Sequence, residues 1–257
     1  MWWLTIILAV LLLAALYGYF WERAKRKQRG LLGAWPIRKV QVTEVDPVFR
    51  QERLGPSLDT EVMMVGGADT MMVPGGTSDA EAWILAVLSK SAKLMFEFGT
   101  CTGRTTYVWA RNSPPDARIV TLTLKPGEFT DYRREPGDTA GETRVALEES
   151  AFDRFYYSDT PVAGKITQLF GDSKALDESP WADNCDLVFV DGSHALSYVL
   201  SDSRKALRLV KPGGLVLWHD YRGGRIPGVF EGLNQLAREL PLVHVAKTSL
   251  VAYRRTA

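Results

Sequence analysis

Two of the three histidines in this chain stand just past short apolar runs, each close to an aspartate. One run reads "DLVFVDGSH" and leads to Asp191 and His194; the other reads "LVLWHDY" and carries His219 and Asp220. Imidazole exchanges protons near neutral pH, and paired carboxylates can orient a reacting group or hold a divalent ion. For any one of these residues a helix cap or a satisfied buried position would suffice. Their joint placement at strand ends favours chemistry, either acid–base or metal-assisted.

Two further runs end in residues suited to a ligand. "ITQLFGDS" closes on Asp172 and Ser173, and "MFEFGTCTGRTT" carries Glu97, Gly99, Thr100 and Gly103. The latter turn opens a helix, whose first amides can bind an anionic group. Its spacing is Gly-x-x-x-Gly rather than G-x-G-x-x-G, with Cys101 where a dinucleotide fold has its second glycine. That departure argues against a pyrophosphate and for a smaller, amino-acid-bearing cofactor.

The elements that must position these residues alternate along the chain. "KLMFEF", "ARIVTLTL", "GKITQLFGD", "CDLVFVDG" and "PGGLVLWHDY" read as strands. Helices are expected from Ser78, an N-cap with Glu81 three residues on, from Arg104, through "ALSYVLSDSRKALRLV", and near "GVFEGLNQLARELP". Short Val/Ile/Leu-rich runs separated by helices predict an α/β, doubly wound and mostly parallel sheet. "LVHVAK" and "SLVAYRR" are close enough for an antiparallel hairpin at the end of that sheet. The polar stretch from Lys125 to Gly164 reads as a solvated loop, with an acceptor lid as the alternative. Residues 22–76 read as a basic juxtamembrane linker and N-terminal cap, in which Met63, Met64, Met71 and Met72 serve packing. Residues 77–257 then form the main domain.

The first 21 residues contain no charged side chain and are followed by Arg23, Lys25, Arg26, Lys27 and Arg29. About 20 helical residues span the roughly 30 Å hydrocarbon core of a bilayer. Trp2 and Trp3 at one end and Tyr17, Tyr19 and Trp21 at the other match two aromatic belts. Residues 1–21 are therefore expected to be a single-pass transmembrane anchor, and the basic flank puts the following domain on the cytoplasmic side. A net charge of +1 offers no basic surplus for nucleic acid. Two cysteines, Cys101 and Cys185, form neither a disulfide framework nor a metal spacing.

"FEFGTCTGRTT", "ITQLFGDS", "DLVFVDGSHALSYVLSD", "LVKPGGLVLWHDY" and "TSLVAYRR" together resemble class I S-adenosylmethionine-dependent methyltransferases. The branch they resemble is methyltransferase family 24, related to small-molecule O-methyltransferases. The resemblance implies a Rossmann-like methyltransferase sheet and S-adenosylmethionine as cofactor. It implies that Glu97, Gly99, Thr100 and Gly103 line the methionine part and that Asp172 and Ser173 lie beside the adenine. Asp191 would sit near the sulfonium and the acceptor, with His194 as general base and Asp220 and His219 close by. Asp191 and Asp220 match two of the three magnesium ligands of related enzymes, whereas Tyr221 stands in place of the third, so a magnesium ion is left open. Thr123 stands where an acid usually holds the ribose hydroxyls, so either Glu128 reaches in from the next loop or cofactor affinity is reduced. The implied reaction is methyl transfer to an oxygen, or to a nitrogen, of a small-molecule or lipid-linked acceptor. The rival reading is a catalytically silent, membrane-tethered binding protein on the same scaffold, which Thr123 favours. A homo-oligomer is left open.

Overall fold

The structure, a computed structural model, describes residues 2–26, 36–50, 59–62, 76–127 and 132–256. Glu128 and the four methionines at 63, 64, 71 and 72 lie outside the described residues. The chain forms two compact units, Met1–Arg38 and Lys39–Ala257.

The first unit is built on one helix, α1, Trp2–Arg26. Its stretch Trp2–Trp21 is exposed along its whole length and is long and apolar enough to cross a membrane. Such a helix has no polar face to present to water.

The second unit begins at the second residue of β1 (Arg38–Val40) and holds β2 (Leu94–Phe98), β3 (Arg118–Thr123), β4 (Ile166–Phe170), β5 (Cys185–Val190), β6 (Val210–Trp218), β7 (Val243–Val245) and β8 (Val251–Arg254). Its helices are α2 (Val42–Val45), α3 (Asp79–Ser89), α4 (Arg104–Asn112), α5 (Ala140–Glu149), α6 (Leu196–Leu209) and α7 (Pro227–Leu236). The strand order is β1-β7-β8-β6-β5-β2-β3-β4. β2 to β6 pair in parallel, as the buried Val/Ile/Leu runs require. The closing hairpin is antiparallel as expected, with β8 inserted between β6 and β7.

Alternate residues cover the two faces. Met95, Ile119, Leu187, Phe189 and Leu217 join the core cluster with Ile84, Leu85 and Trp109 of α3 and α4. On the opposite face Trp218 Nε1 donates to Ser203 Oγ of α6 at 2.9 Å. α3 starts at the cap the sequence marks: Ser78 Oγ accepts from Glu81 N, and the Glu81 carboxylate accepts from Ser78 N at 2.8 Å.

Two regions depart from the sequence reading. The stretch expected to be a solvated loop contains α5, begun by a Thr139–Glu142 capping box. The second unit also starts well before residue 77, because Val40, Val45 and Phe49 are buried in its core. The Phe49 ring packs on Trp83 of α3, centroids 5.3 Å apart. Phe49→Ala is expected to destabilise this unit by about 3–5 kcal/mol, the range for emptying a buried phenylalanine site. Urea denaturation checks it, and an unchanged midpoint would place the segment around Phe49 outside the cooperative core.

Candidate active site

Parallel register brings the carboxyl ends of five strands to one edge. Phe98 pairs with Leu122 and Val190, Val190 with Trp218, and Thr123 with Phe170. The ladder continues one residue further: Gly99 N donates to Leu122 O, Gly171 N to Thr123 O, Asp191 N to Phe98 O, and His219 N to Val190 O, at 2.9–3.1 Å. The residues that leave each strand are thus fixed before their side chains make any contact.

A cleft opens beyond this edge, lined by Gly99, Thr123, Ser173, Asp191, Glu149 and Asp202 among others. Gly99 has φ +95°, and a Cβ there would stand 2.0 Å from Asp191 O, so only glycine fits. Thr123, at the position where the acid was missing, faces the cleft.

Other expected cofactor residues stand behind this wall. Glu97 is 1% exposed and its Oε2 accepts from Thr121 Oγ1 at 2.6 Å and from Thr106 Oγ1. Thr100 Oγ1 bonds Thr121 Oγ1 at 2.7 Å. Gly103 is the left-handed N-cap of α4, facing the Tyr157 ring. None of the three lines the cleft. They shape the turn, and Glu97 is spent on internal hydrogen bonds. Asp172 caps the short turn Ser173–Ala175, with Oδ1 accepting from Lys174 N at 2.9 Å.

The four acid–base candidates converge. His219 Nδ1 is 2.9 Å from Asp191 Oδ1 and 3.5 Å from Asp220 Oδ1, and its Nε2 is 3.4 Å from Glu81 Oε2. His194 Nε2 is 3.0 Å from Asp220 Oδ2, and Arg222 Nε is 2.9 Å from Asp220 Oδ1. Burial opposes charge on both imidazoles, but the facing carboxylates outweigh it and hold both pKa values above the ordinary one. Asp220 is held below its ordinary value because His194, His219 and Arg222 outweigh burial, while burial pushes Asp191 up. Asp220 also has φ +61°, a left-handed backbone uncommon for a residue with a side chain.

One oxygen or ring nitrogen from each of Asp191, His219 and Asp220 lies within 4.8 Å of the others. Magnesium needs a near-octahedral set of oxygen donors. Here His219 Nδ1 lies against both carboxylates, while His194 and Arg222 pair with Asp220 alone. The group offers two carboxylates and one imidazole, a donor set that does not fit magnesium's preference for oxygen.

Sequence reasoning missed Glu149 and Asp202. Burial pushes Glu149 up to about 7, with Asp191 and Asp220 adding to the shift and His194 opposing it. The Thr-x-x-Glu box at Thr139 would have announced the helix that carries Glu149. Burial also pushes Glu97 up to about 8, against its two threonine hydrogen bonds, and Asp202 up to about 7. These acids ionise near pH 4 in an unfolded chain, so the folded state binds more protons from about pH 5 upward. The raised histidines act in the same direction above about pH 6.5, whereas the depressed Glu81 and Asp220 withdraw stability only as pH falls below about 4.5. Thermal unfolding should therefore show a higher midpoint at pH 5.5 than at pH 8. Glu97→Gln should flatten that slope and raise the pH 8 midpoint; a midpoint that climbs with pH would refute the assignment.

Residues 96–221 match the methyltransferase domain of methyltransferase family 24. No curated protein matches the chain. Among solved structures, the chain is similar to an O-methyltransferase from Streptomyces achromogenes involved in tomaymycin synthesis, in complex with S-adenosylmethionine. Identity is 23%, with 70% of this chain and 82% of that chain covered and a TM-score of 0.47. A putative O-methyltransferase from Klebsiella pneumoniae gives 21%, 70%, 82% and 0.47 in the same order. A Podospora anserina methyltransferase bound to S-adenosylhomocysteine gives 16%, 71%, 80% and 0.47. With the motifs of strands β2, β4, β5 and β6 set at one sheet edge, residues 96–221 carry a methyltransferase domain by that family match.

Proposed function

We propose that the chain transfers a methyl group from S-adenosylmethionine to an oxygen of a small-molecule or lipid-linked acceptor. The observation that carries this reading is the single cleft lined by Gly99, Thr123, Ser173 and Asp191, with the His194–Asp220 pair beside Asp191. When bound, the cofactor supplies a methyl group already activated on a sulfonium sulfur. The protein's task is then to align the acceptor and take its proton.

His194 is the base in this reading. Asp220 holds its Nε2 at 3.0 Å, which fixes the ring and leaves Nδ1 to receive the proton. Asp220 also raises the pKa of His194, so the neutral, accepting form grows as pH rises above neutrality. Asp191 lines the cleft with His219 bonded to it, and that contact positions the carboxyl beside the acceptor. Glu149 lines the same cleft and stands ready as a second proton acceptor. The exposed apolar helix Trp2–Trp21 supports a tether, which would keep the domain close to acceptors in or near a membrane.

Calorimetric titration of S-adenosylmethionine and S-adenosylhomocysteine tests the reading first. Binding in the micromolar range is expected, and a folded chain that binds neither would leave the silent scaffold. His194→Ala should lower turnover by about 10²–10⁴-fold, the usual contribution of a positioned base, with cofactor affinity changed less than threefold. The wild-type rate should rise with pH across neutrality and persist in a magnesium chelator. In cell fractionation the chain should sediment with membranes, and deletion of residues 2–26 should release it.

A further inference from the structure

The cleft is too tight for the ligand its position suggests. The space it encloses is about 50 Å³, whereas sites for small organic ligands hold about 300–1,000 Å³. The segment that narrows it is the strap 132–138, between β3 and α5. In the sheet β2 lies between β3 and β5, and Ser193 follows β5. A strap that leaves β3 and reaches Ser193 therefore crosses the mouth above the Gly99 turn. It does reach: Tyr132 Oη lies 2.7 Å from Ser193 Oγ, and Thr143 of α5 hydrogen-bonds the same tyrosine hydroxyl. Tyr132 and Ser193 both line the cleft.

The strap is fastened along its length. The Tyr132 ring stacks on Tyr198 of α6, centroids 4.5 Å apart at 18°, and Arg133 N donates to Tyr198 Oη at 2.8 Å. Lys174 Nζ donates to Arg133 O and to Glu135 Oε1, both at 2.8 Å. Asp138 anchors the far end, its carboxylate accepting from Ser197 N at 3.1 Å and from Ser197 Oγ at 2.7 Å. Beside that anchor Gly137 has φ +103° and open space around it, which gives the strap a glycine pivot.

We propose that the strap 132–138 is a latch that closes the cleft in the free chain, with the Tyr132–Ser193 contact as its catch, and that the cofactor binds the form with the catch undone. The inference rests on the cofactor reading above. Only the open fraction can bind, so weakening the catch strengthens binding, the reverse of losing a cofactor contact. A lid that shuts over bound cofactor is the other use of such a strap, and it gives opposite results.

The test uses the full-length chain in detergent and surface plasmon resonance with S-adenosylhomocysteine. Tyr132→Phe and Ser193→Ala each remove one end of the catch and keep the Tyr132 ring position filled. Each should speed association by about fivefold, the scale of one hydrogen bond, with dissociation within about twofold of wild type. The double variant should gain little beyond Tyr132→Phe, because both changes break the same contact. In hydrogen exchange, amides of residues 132–138 should be protected in the free wild-type chain and lose protection when S-adenosylhomocysteine binds. Association unchanged in both variants, dissociation rising in step with association, or strap amides that gain protection on binding overturns the latch and leaves the methyltransferase reading intact. Folded protein that binds S-adenosylhomocysteine in neither wild type nor variants overturns both.

Discussion

A single buried carboxylate ties the reactive edge to the scaffold. Glu81 is 2% exposed, and a charge so placed is tolerable only with a full set of partners. Its Oε2 accepts from Ser78 N and Oγ, which begins α3, and faces His219 Nε2. Its Oε1 accepts from Ser249 N at 2.6 Å and Ser249 Oγ at 2.8 Å, 168 residues away at the entry to β8. Ser249 O in turn accepts from Tyr221 N, next to the left-handed Asp220. One group thereby sets a helix start, the entry to β8 and the orientation of the His219 imidazole at the sheet edge.

The same economy governs charge. Asp191 and Asp220 lie on adjacent strand ends, yet their pKa values move in opposite directions. Asp220 is surrounded by His194, His219 and Arg222, whereas Asp191 lines the cleft with His219 as its bonded partner. Negative charge is stabilised on Asp220, while burial pushes Asp191 and Glu97 toward their protonated forms. A site with two carboxyls held in different protonation states can both orient and exchange a proton without reorganising.

Much of this was legible in the chain. β2 to β6 announced themselves as short apolar runs, and a residue that directly follows such a run must stand at the sheet edge. That placed Gly99, Gly171, Asp191 and His219 without any structure, and the Ser78–Glu81 spacing marked α3. What stayed hidden depends on packing between distant segments. Glu81 reads locally as a cap partner; its bonds to Ser249 and His219 are invisible until the sheet closes. Asp202 sits in a helix whose other residues alternate normally, and nothing local says that its face is covered. α5 was missed because its ten residues include three glutamates and an arginine and bury only Ala146, a composition that reads as solvated. Phe49 was passed over because three residues of strand and a single helical turn carry too little periodicity. Thr123 ends β3 and lines the cleft, but its own identity does not reveal whether another group compensates for the missing acid.

The position of β8 has a consequence for biosynthesis. It follows every other strand in the chain yet lies inside the sheet, between β6 and β7. Until it is synthesised, β6 presents an open row of backbone donors and acceptors, Glu81 lacks Ser249, and β7 lacks the strand that joins it to the rest of the sheet. Domains emerging from the ribosome usually consolidate from their amino-terminal side. This one is completed from its interior by the strand that follows the other seven, so a nascent chain stalled before Leu250 carries a sticky half-sheet that invites chaperones or aggregation.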